Sequence, residues 1–157
     1  MEKKGYNSLK KGKRGEAEML IGEYSHSIDP KGRINFPAKL RETLGEYFVI
    51  TKGLDNCLFV YRMKEWNQLE EKTKQLPTSK ARNIQRFLFA GAAAVSPDKQ
   101  GRVLIPQNLR DYAGLEEEIT IVGVSSRAEI WDSKRWISSN EALTSESIAE
   151  IMDELGF

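Results

Sequence analysis

The sequence repeats itself. The segment SIDPKGRINFPAKLRETLG at residues 27–45 returns as SPDKQGRVLIPQNLRDYAG at residues 96–114. At a constant offset of 69, Asp29 falls on Asp98, and Gly32 and Arg33 fall on Gly101 and Arg102. Pro37 falls on Pro106, Leu40 and Arg41 on Leu109 and Arg110, and Gly45 on Gly114. One residue of slippage later, Gly53 matches Gly123, Tyr61 matches Trp131 and Trp66 matches Trp136. Ordered matches over some forty residues mark a tandem duplication, so the fold must be built from two copies of one unit.

Each copy spells the same local structure. Residues 20–28 and 92–96 read as strands that lead into a turn. Asp at the first turn position, Pro30 at the second in copy one, and Gly at the fourth give a type I turn followed by a left-handed Gly. Return strands at residues 33–36 and 102–105 stop at Pro37 and Pro106. Short helices over 38–44 and 107–113 follow, begun by those prolines and closed by Gly45 and Gly114. A second hairpin joins residues 47–52 to 57–61, and its counterpart joins 118–124 to 127–131. Phe36 and Ile105, at equivalent positions, are expected in the core. So are Trp66 and Trp136, in preference to a platform for stacked bases.

Helical spacings of three and four follow the first copy, at Trp66, Leu69, Thr73 and Leu76 and then at Ile84, Phe87 and Leu88. The chain ends with the same pattern at Ile148, Ile151, Met152 and Leu155. Each stripe is expected to pack against its own domain. Docking on a neighbouring subunit is the other reading for the last stripe. The resulting organisation is a repeat at 23–66, a helical connection at 67–91, a second repeat at 92–136 and a C-terminal helical segment at 137–157. Residues 1–18, with six Lys or Arg against three Glu, read as a disordered basic extension. It is a solvated tail or an arm that holds phosphates; alternatively, KRGEAE is a translated purine-rich ribosome-binding site and translation starts at Met19.

Composition removes most chemistry. One Cys and one His among 157 residues leave almost nothing for a nucleophile–base pair or a zinc site. Cys57 sits in the apolar run CLFVY and reads as a buried thiol. There is no Gly-rich phosphate loop and no Ser nucleophile motif, and runs such as Glu116 to Glu118 read as solvated faces. An enzyme is not expected, and neither is a cofactor or a small-molecule substrate. No apolar run approaches the roughly 20 residues that span a bilayer, so a cytoplasmic protein is expected. The formal net charge is +1, and the extension's +3 leaves the remainder at −2, so attraction to nucleic acid must rest on local patches.

Those patches fall at the repeated turns. Asp29, Gly32, Asp98 and Gly101 are accounted for by turn formation, with Arg pairing to Asp across it. Arg33 and Arg102 are accounted for less well, since a surface ion pair contributes only about 0–1 kcal/mol. Lys31 and Arg33, with Lys39 and Arg41 beyond, gather at the first turn; Lys99 and Arg102, with Arg110 beyond, gather at the second. A two-stranded ribbon fits the major groove, where Arg bonds both acceptors of a guanine edge and Lys neutralises phosphate. Two such ribbons side by side on duplex DNA are the expectation.

The run MLIGEYSHSIDPKGRINFPAKLR, the later DKQGRVLIP and the paired D-x-x-x-R motifs resemble the MraZ family over residues 19–136. The resemblance implies an α+β fold, a swapped-hairpin β-barrel of the SpoVT/AbrB type made from the two tandem repeats with flanking helices. It implies a ring-shaped homo-oligomer and a nucleoid-associated transcriptional regulator that binds short direct repeats of double-stranded DNA upstream of its own division and cell-wall operon. It places Asp29, Lys31 and Arg33, and Asp98, Lys99 and Arg102, in the DNA-facing hairpins. Gln100 stands where the first motif has Lys31, so unequal contributions are expected. A protein-interaction module of the same fold, antitoxin-like or a scaffold, is the alternative.

Overall fold

The computed structural model describes residues 19–157, and the reading of residues 1–18 lies outside them. The strands are β1 (Leu20–Ser27), β2 (Arg33–Asn35), β3 (Phe48–Lys52), β4 (Leu58–Arg62), β5 (Ala93–Val95), β6 (Arg102–Leu104), β7 (Glu118–Ser125) and β8 (Ala128–Asp132). Helix α1 (Ala38–Leu44) follows β2, and α2 (Met63–Thr73) and α3 (Thr78–Ile84) follow β4. A π-helical turn, Gln85–Phe89, continues α3; α4 (Gln107–Ala113) follows β6, and α5 (Ser133–Asn140) and α6 (Ser145–Glu154) end the chain. The expected second hairpins form as β3–β4 and β7–β8, both antiparallel. This is an α+β fold with antiparallel sheets.

The first hairpins differ from a local reading. The strand before each turn pairs with the other repeat: β1 runs along β7 for eight residue pairs, and β5 runs along β3. Beyond the turn bonds, a single bridge, Ile28 to Ile34, joins the first strand to its own return strand. The return strands pair with each other instead, β2 with β6, through Arg33–Leu104, Ile34–Val103 and Asn35–Arg102. Two ribbons side by side are therefore replaced by one ribbon with a strand from each repeat. The physical reason lies in length and alternation. A return strand of three residues buries only its middle side chain, and pairing β2 with β6 sets Ile34 and Val103 opposite each other, both on the core side.

The larger sheet has the order β1-β7-β8-β4-β3-β5, with β1 and β5 at its edges. Its inner face, including Phe48, Ile50, Leu58, Val60, Ile119 and Ile130, meets a lid made of the ribbon and of α1 and α4. The lid contributes Ile34, Phe36, Leu40, Val103, Ile105 and Leu109, so Phe36 and Ile105 lie in the core as expected. On the other face, Cys57, Phe59, Val122 and Trp131 form a smaller cluster. Trp66 packs on Tyr61 and Phe89, with ring centroids 5.8 and 4.6 Å away, while Trp136 packs on Trp131 at 5.5 Å. Both equivalent tryptophans are packing residues. Burial, with the negative charge of Glu129 adding to it, pushes the Cys57 thiol up to about 12, so the thiol is unreactive at neutral pH.

The helical stripes are only partly covered. Thr73 is buried, Trp66 and Leu69 are half-buried, and the buried Thr51 hydroxyl donates 2.6 Å to the Leu88 carbonyl, fixing the π-helical turn on the sheet. Helix α6 departs from expectation. A Thr144–Ser147 capping box defines its start, yet none of its residues is buried. Ile148, Ile151, Met152 and Leu155 all face outward, so this stripe does not pack on its own domain.

Candidate nucleic-acid interface

The two turns share one hydrogen-bond pattern. In the first, the Gly32 N–H donates to the Asp29 carbonyl and the Asp29 N–H to the Arg33 carbonyl, both at 2.9 Å. Gly32 has φ +88°, the left-handed conformation the motif requires. Asp29 Oδ1 accepts the backbone N–H groups of Lys31 and Arg33 at 2.9 Å, and Oδ2 accepts Arg33 Nε at 2.8 Å. In the second, Gly101 has φ +80°. Asp98 Oδ1 accepts the N–H groups of Gln100 and Arg102, and Oδ2 accepts Arg102 Nε, all at 2.9 Å.

Each aspartate therefore acts as a bracket. One carboxylate oxygen holds the turn backbone and the other holds the guanidinium through Nε. The terminal nitrogens of Arg33 and Arg102 have no partner among the described residues, and they form the edge a guanine or phosphate would meet. Each arginine side chain is 32% exposed, so it is braced yet accessible. Lys31 and Lys99 are exposed at the turn tips. The structure thus brings Asp29 to Arg33 and Asp98 to Arg102, and it sets both arginines on the outer face of one ribbon.

Sequence proximity misassigned two further cations. Arg41 follows the first turn in the chain but packs against the second: a Cβ on Gly101 would lie 2.9 Å from its guanidinium carbon. Arg110 packs reciprocally behind Gly32, where a Cβ would approach to 2.5 Å. Arg41 Nε donates to the Phe36 carbonyl at 3.0 Å and Arg110 Nε to the Ile105 carbonyl at 2.8 Å, so both guanidiniums are anchored. Backbone bonds of 2.9 Å from Phe36 N–H to the Gly101 carbonyl, and from Ile105 N–H to the Gly32 carbonyl, complete the exchange. Each tip is thus supported by the other repeat.

The ribbon also exposes Asn35 and Leu104, which stand at equivalent positions of the duplication. Sequence reasoning passed over both. The signal was the period-two pattern of Arg-Ile-Asn and Arg-Val-Leu, which sends the outer residues of each triplet to one face.

The hydrogen bonds from the Arg33 backbone, with smaller contributions from its side chain and from the Lys31 backbone, hold the Asp29 carboxyl below its ordinary value; Asp98 is lowered in the same way by Arg102 and Gln100. Because the folded value is the depressed one, the stabilisation is present above the ordinary carboxylate range and is lost as pH falls through the folded value. NMR titration of the carboxyl carbons should therefore give both aspartates midpoints below the ordinary aspartate value. The variant Asp29→Asn, which keeps an acceptor for the backbone but loses the charge, should order the turn better than Asp29→Ala. Amide exchange at Lys31 and Arg33 would measure that order, and equal protection in the two variants would contradict the bracket.

Comparison with known proteins agrees with this geometry of two matched halves. A family profile described as "MraZ protein, putative antitoxin-like" matches twice, over residues 19–87 and 88–155. A protein of Caldicellulosiruptor bescii named Transcriptional regulator MraZ is 60% identical over 142 residues, covering 88% of this chain and 99% of the relative. A protein of the same name from Acetivibrio thermocellus is 58% identical with the same coverage. Among solved structures, PHS018 from Pyrococcus horikoshii matches with 18% identity over 68% of this chain and 91% of that one, at a TM-score of 0.32, a likeness too slight to bear on the fold. With both halves matched by one profile and relatives of near 60% identity along almost their whole length, this chain belongs to the MraZ family.

Proposed function

We propose that this chain is a sequence-specific DNA-binding transcriptional regulator that acts without catalysis. Its target is double-stranded DNA carrying short direct repeats upstream of its own division and cell-wall operon, and its place is the cytoplasm, on the nucleoid. The observation that carries the reading is the single ribbon β2–β6, with braced Arg33 and Arg102 on its outer face and Lys31 and Lys99 at its turn tips. Major-groove width accommodates a two-stranded ribbon, and planar guanidiniums suit guanine edges and phosphates. Asp29 and Asp98 serve as positioning residues, since their acceptors are taken up within the turns. The relatives' shared name, Transcriptional regulator MraZ, supports the same reading. The cross-paired strands support a swapped-hairpin barrel assembled from repeats 23–66 and 92–136, with the flanking helical segments outside it.

The test is a gel-shift titration with the DNA just upstream of the gene, against a scrambled duplex, at two salt concentrations. Tighter binding to the upstream duplex, with affinity falling steeply as salt rises, is expected. Equal affinity for both duplexes would remove sequence recognition from the assignment.

A homo-oligomeric ring belongs to the same proposal. Its support is the outward apolar stripe of α6, where Ile151 is 54% and Leu155 69% exposed. A ring sets several ribbons along one duplex, so that weak contacts combine through effective concentration. Light scattering coupled to size exclusion should give a multiple of the 17.9 kDa chain, and the double variant Ile151→Glu/Leu155→Glu should reduce it. An unchanged mass in the variant would exclude α6 from the contact.

A further inference from the structure

The β2–β6 ribbon has pseudo-two-fold symmetry in its backbone and in its two arginines, but not in its other two outward residues. Asn35 lies directly opposite Arg102, and Leu104 directly opposite Arg33. At the equivalent position one strand thus offers an amide and the other an isobutyl group. Leu104 is 55% exposed although it is a large aliphatic side chain in the middle of a charged surface. The Asn35 amide makes no hydrogen bond among the described residues, so its two donors and its acceptor are open.

Neither feature is explained by folding. The buried side of the ribbon is Ile34 and Val103, and the turns are closed by the aspartates. Residues i and i+2 of a strand are separated by about 6.8 Å and directly opposite Cβ atoms by about 5 Å. The four outward side chains therefore cover about two steps of a duplex, whose bases rise about 3.4 Å each. Within that patch, an unengaged amide matches the N6 and N7 atoms of adenine, and an exposed aliphatic group matches the methyl of thymine.

We propose that Asn35 and Leu104 are specificity-determining residues, Asn35 for an adenine and Leu104 for a thymine methyl, so that the element read by one ribbon has a polarity. The inference rests on the DNA-binding reading above and deepens it. With identical residues at the two positions, only the differing turn tips, Lys31 against Gln100, would be left to distinguish the two orientations. This chain distinguishes them, with the Asn35–Arg102 end and the Leu104–Arg33 end meeting different bases.

The experiment is binding selection from randomised duplexes with the full chain, followed by titration of the selected element. Wild type, Asn35→Leu, Leu104→Asn and the exchanged double variant would be compared, with oligomeric mass measured for each. Asn35→Leu is expected to lose about tenfold in discrimination at one adenine while keeping the wild-type salt slope, because no phosphate contact is removed. Replacing thymidine by deoxyuridine in the selected element should weaken wild type several-fold and leave Leu104→Asn indifferent. The exchanged variant should transpose the two preferences. If wild type selects an element and every variant selects the same one, or wild type ignores the missing methyl, the inference falls while DNA recognition stands. If the variants change oligomeric mass and leave base preference unaltered, Leu104 and Asn35 belong to a subunit contact and the inference falls. If wild type selects no element, the DNA-binding reading itself is lost.

Discussion

Removing both guanidiniums from the ribbon, as Arg33→Ala/Arg102→Ala, is expected to abolish specific DNA binding while leaving the fold intact. A good bidentate contact from Arg to a base contributes about 1–3 kcal/mol, or roughly five- to 150-fold in affinity. Two such losses per chain, repeated in every subunit of an assembly, place the double variant beyond the range of an ordinary titration. The fold should tolerate the change. Each arginine makes one surface ion pair, at 2.8 Å to Asp29 and 2.9 Å to Asp98, and such pairs contribute about 0–1 kcal/mol. Thermal unfolding should therefore shift by only a few degrees.

The single variants carry more information than the double. The two turns are geometrically alike, but Lys31 has Gln100 as its counterpart, and Arg33 lies beside Leu104 where Arg102 lies beside Asn35. Arg33→Ala and Arg102→Ala should therefore weaken binding unequally, at different base pairs of one element. Fluorescence anisotropy on single-base variants of the operator would separate them. Full affinity in both single variants would detach the ribbon from DNA recognition altogether.

Much of this was legible in the residues because it is local. The turns are written in Asp, Pro and Gly at fixed places, and α1 and α4 run between Pro37 and Gly45 and between Pro106 and Gly114 as the motifs predict. Both second hairpins follow from alternation and turn spacing. The exchange between repeats was implied only by the family resemblance and not by the local motifs, because a duplicated strand matches its own neighbour and its copy equally well. Only the three-dimensional accounting decides, since Ile34 and Val103 are buried together only when β2 lies on β6. The same ambiguity hid Arg41 and Arg110, which stand beside one turn in the sequence and behind the other in space. Helix α6 was misread for a different reason. Its stripe has the period of a buried face, and periodicity does not say whether the covering surface belongs to the same chain.

The exchange makes its own prediction, the largest expected for stability. Gly32→Ala should destabilise the chain and impair its ribbon, because two costs coincide at that residue. The backbone sits at φ +88°, where a side chain costs about 1–3 kcal/mol. The added methyl also meets the Arg110 guanidinium at 2.5 Å; this flexible end can swing away only by giving up its 2.8 Å bond to the Ile105 carbonyl, so the overpacking costs about another 1 kcal/mol. Only the second cost depends on Arg110. A double-mutant cycle with Arg110→Ala should therefore show partial rescue: the glycine substitution becomes less damaging once the guanidinium is gone, by about the overpacking part. Gly101→Ala with Arg41→Ala should behave in the same way, at a contact of 2.9 Å. Gly32→Ala combined with Arg41→Ala is the control, since Arg41 lies behind the other turn, and it should be simply additive. Denaturant unfolding of the four single and three double variants measures all three couplings. Rescue of Gly32→Ala by Arg41→Ala, with none by Arg110→Ala, would mean that each arginine serves its own turn and that the cross-repeat arrangement is wrong.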